Sequence, residues 1–139
     1  MTKKLLFLFD TDPVASVFDT VVGYDGGADH IIGYGGVNPT NVGALVDGCI
    51  YTRGPKEKQF TAIFVGGGDM AAGEAVFKAV KKRFFSNFRV SAMLDSNGSN
   101  TTAAAGVALL AKAKPLAGKK AIVLAGTGPV GMRAAAMLH

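Results

Sequence analysis

A glycine-rich turn near the end of the chain has the residue spacing best suited to chemistry. The apolar residues 121–125 run directly into GTGPVG at 126–131, and a helix-forming segment follows. In such a setting the first glycine permits a tight turn, the second admits a pyrophosphate and the third lets helix and strand pack closely. The turn predicts dinucleotide binding, with a ligand-free tight turn as the alternative. The candidate cofactor-binding residues are Gly126, Thr127, Gly128, Pro129, Val130, Gly131 and Arg133.

The small polar segment 95–102 (DSNGSNTT) is a second candidate site. It lies between a predicted strand and a predicted helix, so its hydroxyls and amides would stand at the carboxyl end of a strand, where open α/β sheets bind ligands. We expect Asn97 and Thr102 to position a substrate or the reactive end of a dinucleotide. Helix capping by Ser99 or Asn100 is the alternative. The substrate-binding candidates here are Asp95, Asn97, Ser99, Asn100 and Thr102.

Composition excludes several other classes of protein. The single Cys49 rules out a disulfide framework within the chain, and no Cys/His cluster predicts a metal site. The longest small-and-apolar run, 103–111, is too short to span a bilayer, and the apolar start 5–9 predicts a strand rather than a signal peptide. We therefore expect a cytoplasmic protein that binds neither membrane nor metal.

Charge is distributed unevenly along the chain. Residues 1–47 contain six Asp and two Lys, a net −4, whereas residues 48–139 contain four acids and thirteen Lys or Arg, a net +9. A basic half attracts phosphorylated small molecules or nucleic acid, but a solvated helix face explains these cations as well. Because aromatic residues do not alternate with the cations, we expect no nucleic-acid partner.

Strands that alternate with helices must position these sites. Predicted strands cover 5–9, 30–34, 49–52, 60–65, 89–94 and 119–125; predicted helices cover 13–22, 40–46, 70–85, 101–113 and the segment from 132. This alternation predicts an α/β fold: a three-layer parallel-sheet domain, then the first strand and helix start of a Rossmann domain. The expected divisions are a substrate domain at 1–100, a connecting helix and loop at 101–116 and a truncated nucleotide domain at 117–139.

The sequence resembles the NAD(P)-dependent methylene-tetrahydromethanopterin dehydrogenases of methylotrophic bacteria, over about the first half of a family member. The similarity is carried by these motifs: FDTD at 9–12, SVFD at 16–19, VGYDGGADH at 22–30, YTRG at 51–54, KEK at 56–58, AIFVGGGDM at 62–70, DSNGSNTT at 95–102 and LAGTGPVGMR at 124–133. We therefore expect an N-terminal part of a longer enzyme. Alone, it should show little or no turnover, since the ribose-selecting residue lies about 20 residues beyond the glycines.

The resemblance implies hydride transfer from methylene-tetrahydromethanopterin to NADP or NAD in one-carbon metabolism, with methylene-tetrahydrofolate as a possible second substrate. It also implies a homo-oligomer whose active site lies between two domains. The departing hydride leaves a cation stabilised by two nitrogens, so alignment of the reactants matters more than a strong base. His30, the only internal histidine, then has a structural role.

A reduced pterin as substrate singles out a further group near the start of the chain. Its ring presents donors that Asp10, Asp12 and Asp25 could accept, and Tyr24 could stack on the ring. Helix capping and turn formation explain Asp12 and Asp25 equally well. We further expect a structural turn at 66–69, and either a solvated loop or contact with an acidic substrate tail at Lys56 and Lys58. A non-catalytic folding or oligomerisation module and a folate-only dehydrogenase remain alternatives.

Overall fold

The computed structural model describes residues 2–139 and divides the chain into two compact units, Met1–Ser96 and Asn97–His139. The first unit contains a four-stranded sheet in the order β2-β1-β3-β4, and every neighbouring pair is parallel. The predicted α/β class and parallel sheet are confirmed. The strands are β1 (Leu5–Asp10), β2 (His30–Tyr34), β3 (Thr61–Gly66) and β4 (Ser91–Leu94).

Helices flank this sheet, because right-handed crossovers place α1 on one face and α2 with α4 on the other. The helices are α1 (Val17–Asp25), α2 (Val42–Tyr51), α3 (Pro55–Lys58), α4 (Met70–Arg83), α5 (Ser99–Ala113) and α6 (Pro129–Leu138). Gly23 lets α1 approach the sheet, since a Cβ there would lie 2.6 Å from Ile31 Cδ1. On the other face, the buried core joins Phe9 and Val65 to α2 and α4.

The first helix begins later than predicted. Ser16, not Asp12, is its N-cap, because the Ser16 hydroxyl accepts a hydrogen bond from Asp19 N. Asp12 instead accepts a hydrogen bond from Gly68 N in the turn after β3. Asp12 does not cap the helix, although Pro13 after it favours that role, because its carboxylate is bonded to the backbone of Gly68, 56 residues away.

The strand predicted at 49–52 is wrong, since α2 continues through Tyr51. Val42, Val46, Cys49 and Ile50 are all buried, and their spacing of three and four residues forms one apolar helix face. Ile50 and Tyr51 are residue types common in strands, but Ile50 continues the apolar face that Val42 and Val46 begin two and one helical turns earlier.

The Rossmann strand predicted at 119–125 is also wrong. Residues 119–123 have no regular structure, residues 124–127 form turns, and Ile122 and Leu124 are 88% and 87% exposed. A strand needs a neighbour for its backbone hydrogen bonds, and among the described residues 97–139 there is no second strand. The helix after the glycine turn does form, from Pro129.

None of the helices within residues 2–139 has the length and apolar character needed to cross a membrane.

Candidate active site at the carboxyl edge of the sheet

The carboxyl ends of β1, β3 and β4 form one edge of the first unit. The parallel register pairs Asp10 with Gly66 and Val65 with Leu94, so Asp10, Gly66 and Asp95 lie side by side where the strands end. This edge is where a parallel sheet offers loop backbone and polar side chains to a ligand. We call it the carboxyl edge.

Asp10 organises the loop that follows β1. Its side chain is 1% exposed, and its two carboxylate oxygens accept hydrogen bonds from Asp12 N at 2.9 Å and Ser16 N at 2.8 Å. Its own backbone carbonyl accepts from Val37 N. A buried carboxylate so engaged shapes the loop and holds the start of α1 in place.

The loops after β1 and β3 are fixed to each other by Asp12 and a glycine. The Asp12 carboxylate accepts from Gly68 N at 2.9 Å, although its side chain is exposed. Gly67 has φ +107°, and a Cβ there would collide with the Thr11 hydroxyl. Asp69 then caps α4 by accepting from Ala72 N at 2.9 Å. The turn predicted at 66–69 therefore has a clear structural role.

Asp19 is a candidate site residue that the sequence reasoning missed. It lies in the first turn of α1, and a Cβ built on Gly66 would be 3.1 Å from its Oδ2, so its carboxylate reaches the carboxyl edge. Desolvation raises the pKa of Asp19 most; the Ser16 hydrogen bond lowers it, and the negative charges of Asp10 and Asp95 raise it further. The signal available was Ser16 three residues before Asp19, a capping spacing.

The structure does not bring Tyr24 and Asp25 together with Asp10 and Asp12. Both residues lie at the last turn of α1, where the chain returns to the amino edge of the sheet: Asp29 N donates to the carbonyl of Lys4, just before β1. A six-residue strand separates the two edges by roughly 17 Å. The predicted group of four is therefore divided between opposite edges.

The other residues considered in the first unit also lie at the amino edge. His30 begins β2, and Lys56 and Lys58 belong to the short helix α3, which precedes β3. These residues therefore do not share the carboxyl edge with Asp12 and Asp19.

Segment 95–102 spans the boundary between the two units. In the first unit Asp95 is 7% exposed and its N–H donates to the Val65 carbonyl. In the second unit, Asn97 has φ +58° and is exposed, while Gly98 is the N-cap of α5 in the left-handed conformation. The predicted caps are therefore wrong, because α5 has already begun at Ser99. Ser99 is fully buried, Asn100 half-buried and Thr102 exposed.

The glycine turn of the second unit retains features that a diphosphate requires. A Cβ on Gly131 would lie 2.5 Å from the Ala125 carbonyl oxygen, so the third glycine permits close packing of α6 on the turn. Gly128 N donates to that carbonyl, and α6 begins at Pro129 with its free N–H groups facing the turn. Thr127 and Val130 are exposed, and Arg133 is half-buried.

Charge supports an anion at this turn. All ten acids lie at or before Asp95, so residues 97–139 contain five Lys or Arg and no carboxylate. The residues present therefore fit the diphosphate of a dinucleotide, with Gly126 and the first turn of α6 as its backbone contacts, since Gly128 N is already bonded to Ala125. Among the described residues, no cluster of three or more His, Cys, Asp or Glu could hold a metal ion.

Comparison with known proteins finds a family model over most of the first unit and relatives that cover nearly the whole chain. Residues 17–97 match the family model described as methylene-tetrahydromethanopterin dehydrogenase, N-terminal. The chain is 79% identical over 129 residues to the bifunctional protein MdtA of Methylorubrum extorquens, covering 91% of this chain and 45% of that protein. It is 31% identical to an NAD(P)-dependent methylenetetrahydromethanopterin dehydrogenase of the same organism, covering 97% and 48%. The chain thus spans about half the length of the curated relatives it matches.

Proposed function

We propose that this chain supplies the reduced-pterin site of a dehydrogenase, because it belongs to the family of methylene-tetrahydromethanopterin dehydrogenase N-terminal domains. The observation that carries the proposal is the carboxyl edge, where Asp12 and Asp19 stand beside the buried Asp10. The reaction is transfer of hydride from the methylene carbon of the pterin to NAD(P). NADP is the acceptor we expect, with NAD as the alternative.

The carboxyl edge suits a pterin because the ring carries several N–H donors and carboxylates accept them. Asp10 is 1% exposed and each of its carboxylate oxygens already accepts a backbone N–H, so Asp12 and Asp19 are the carboxylates that contact the ring. Desolvation raises the pKa of Asp19 above its usual value, which marks this carboxyl as partly removed from water at the proposed site. Asn97 and Thr102 remain positioning candidates, and no group at the site is required to act as a strong base.

The glycine turn is proposed to hold the NADP diphosphate, through the N–H groups at the start of α6 and the Thr127 hydroxyl. NADP, when bound, supplies the hydride acceptor. The side chains of this unit contribute position and positive charge, with Arg133 as the nearest cation in sequence.

Titration calorimetry of the 139-residue chain with tetrahydromethanopterin tests the proposed site. We expect Asp12→Asn and Asp19→Asn each to raise Kd by about tenfold, the loss of one good polar contact. Asp25→Asn is the matched control, because it lies at the opposite edge, and should leave Kd unchanged.

Three other outcomes would contradict the proposal. Binding that depends on Asp25 but not on Asp12 or Asp19 would place the pterin at the amino edge of the sheet. Absence of binding for both pterin and NADP would favour a folding or oligomerisation module. Binding of tetrahydrofolate but not tetrahydromethanopterin would favour the folate-only alternative.

Self-association and a cytoplasmic location stay predictions from the sequence. An exposed apolar stripe on α1 is compatible with self-association, since Val17 and Phe18 are 75% and 76% exposed.

A further inference from the structure

A pocket of about 990 Å³ opens at the amino edge of the sheet, away from the carboxyl edge. Its walls are the end of α2 with the segment that follows, and the segment leading into β4. The pocket lies at this edge because Arg53, which lines it, donates a hydrogen bond from Nη1 to the carbonyl of Phe60, the residue before β3. The pocket belongs entirely to the first unit and does not contribute to the site proposed above.

Three cations line this pocket: Arg53, Lys58 and Arg89. None of the described side chains that line it is acidic, and the carboxylate of Glu57 lies beside its wall, where Oε2 is 2.8 Å from a Cβ built on Gly54. Like charges gathered in a concave site repel one another, and a bound anion relieves that repulsion.

Arg53 is held in place before any ligand arrives. Its Nη1 donates to the Phe60 carbonyl and to Thr61 Oγ1, both at 3.2 Å, and the side chain is half-buried. A guanidinium has five N–H donors in a fixed plane, so anchoring one nitrogen orients the others. An anchored arginine loses less side-chain entropy when it binds an anion.

An aromatic wall stands beside the cations. The Phe88 ring stacks on Phe85 at 5.0 Å between centroids and lies 5.3 Å from Tyr51, while Lys58 Nζ is 4.5 Å above Phe88. Phe85 and Tyr51 are each about half exposed, and Phe88 is 39% exposed. Such a group of exposed rings is characteristic of a surface on which a planar ligand stacks.

A tight turn fixes two of these rings. Phe85 and Phe88 exchange two backbone hydrogen bonds, of 3.3 and 2.8 Å, and Ser86 between them has φ +45°. A non-glycine residue in the left-handed region is conformationally strained. This strained turn brings the Phe85 and Phe88 rings together as a stacked pair.

We propose that this pocket is a mononucleotide site, in which the base stacks on the exposed Tyr51 and contacts the edge of Phe88, and the phosphates bind Arg53, Lys58 and Arg89. Three cations exceed the charge of a single carboxylate, and guanidinium groups match phosphate oxygens in pairs. The volume lies within the range of small-molecule sites. The residues that line this pocket belong to the first unit, whereas the glycine turn belongs to the second.

Titration calorimetry of the full 139-residue chain with ADP tests this assignment. We expect Arg89→Gln and Tyr51→Leu each to raise the Kd for ADP by about tenfold, the value of one charged contact or one stacked base. Lys82→Gln is the matched control, since this exposed lysine on α4 does not line the pocket. Adenosine and pyrophosphate should each bind more weakly than ADP. Thermal melts establish that each variant is folded.

Each other result overturns the proposal. No heat from ADP with the unaltered chain removes the site. Equal affinity for pyrophosphate and ADP removes the role of the rings. Gly128→Ala introduces a Cβ 3.6 Å from the Ala125 carbonyl oxygen, an ordinary contact, and so tests the glycine turn without distorting it. Loss of ADP binding in Gly128→Ala, with normal binding in Arg89→Gln and Tyr51→Leu, would assign the nucleotide to the turn instead.

Discussion

Three aspartates at the carboxyl edge differ in role because their hydrogen-bond partners differ. Asp10 receives two backbone N–H groups and is buried, so it shapes the loop. Asp12 bridges to Gly68 and stays exposed, whereas Asp19 is partly desolvated beside two negative charges. Residue type alone could not separate them; the loop geometry does.

We predict that Asp19→Asn stabilises the protein at pH 7. A carboxyl group whose folded pKa is raised contributes stability below its unfolded pKa of about 4, and that contribution is lost as pH rises through the folded value. Asparagine does not ionise, so the free energy of unfolding of the variant does not decrease in this way as pH rises. Because Asp19 is only half-buried and water screens its charge, the gain should be below about 1 kcal/mol, measured by urea unfolding at pH 7 and pH 3.5.

Asp47→Asn supplies a control of opposite sign. The Arg83 hydrogen bond lowers the pKa of Asp47, so its stabilisation is present above about pH 4 and lost as pH falls through the folded value. This variant should be less stable than the parent at neutral pH. Equal pH dependence of unfolding in the parent and in Asp19→Asn would contradict the account of Asp19.

At the scale of elements, the strand-to-helix turns are the sharpest link between sequence and structure. The turn after β3 was predicted from its glycines alone, yet the reason for Gly67 is a contact with Thr11, 56 residues earlier in the chain. The start of α4 was predicted correctly, because Asp69 caps it and its apolar face is regular, whereas the helix ends at Arg83 rather than at the predicted residue 85. The start of α1 was predicted wrongly, because Asp12 accepts a hydrogen bond from Gly68.

We predict that Gly67→Ala destabilises the first unit by about 2 kcal/mol or more, since it combines φ +107° with a collision against Thr11. Gly36→Ala is the control. Gly36 has φ +65° but nothing within 4 Å of a built Cβ, so only the conformational cost of about 1 kcal/mol applies. Urea unfolding monitored by circular dichroism measures both. Equal losses in the two variants would show that the Thr11 contact has no energetic consequence.

At the scale of the molecule, the two units differ in charge. The first has ten Lys or Arg and ten acids, whereas residues 97–139 have five cations and no acid. The charge asymmetry seen in the sequence therefore coincides with a structural division. The excess of positive charge on the second unit favours an anionic ligand there. The first unit has no net charge, so the three cations of the amino-edge pocket are a local cluster rather than part of a general positive surface.

Cys49 reports on the integrity of the first unit as a whole. It is 1% exposed in the core, and burial raises its pKa to about 12. We predict that iodoacetamide at pH 8 modifies it at least about a hundredfold more slowly than an unfolded thiol, because modification requires unfolding.

Val46→Ala should remove part of that protection. Val46 is fully buried in the same core, so its truncation leaves a cavity and costs about 2 kcal/mol. Mass spectrometry of the alkylated chain at increasing urea measures both effects. Rapid modification of the native parent chain would show that the thiol is reached without unfolding.

The sequence by itself determined the alternation of strands and helices, the parallel sheet and the position of α4, because local periodicity and capping decide these features. It also carried the family motifs, since motifs are strings of neighbouring residues. Only the tertiary structure decided which polar residues share an edge. It separated Tyr24 and Asp25 from Asp10, added Asp19 and left residues 119–125 without a strand partner. Those outcomes depend on contacts between residues far apart in the chain, which no local pattern records.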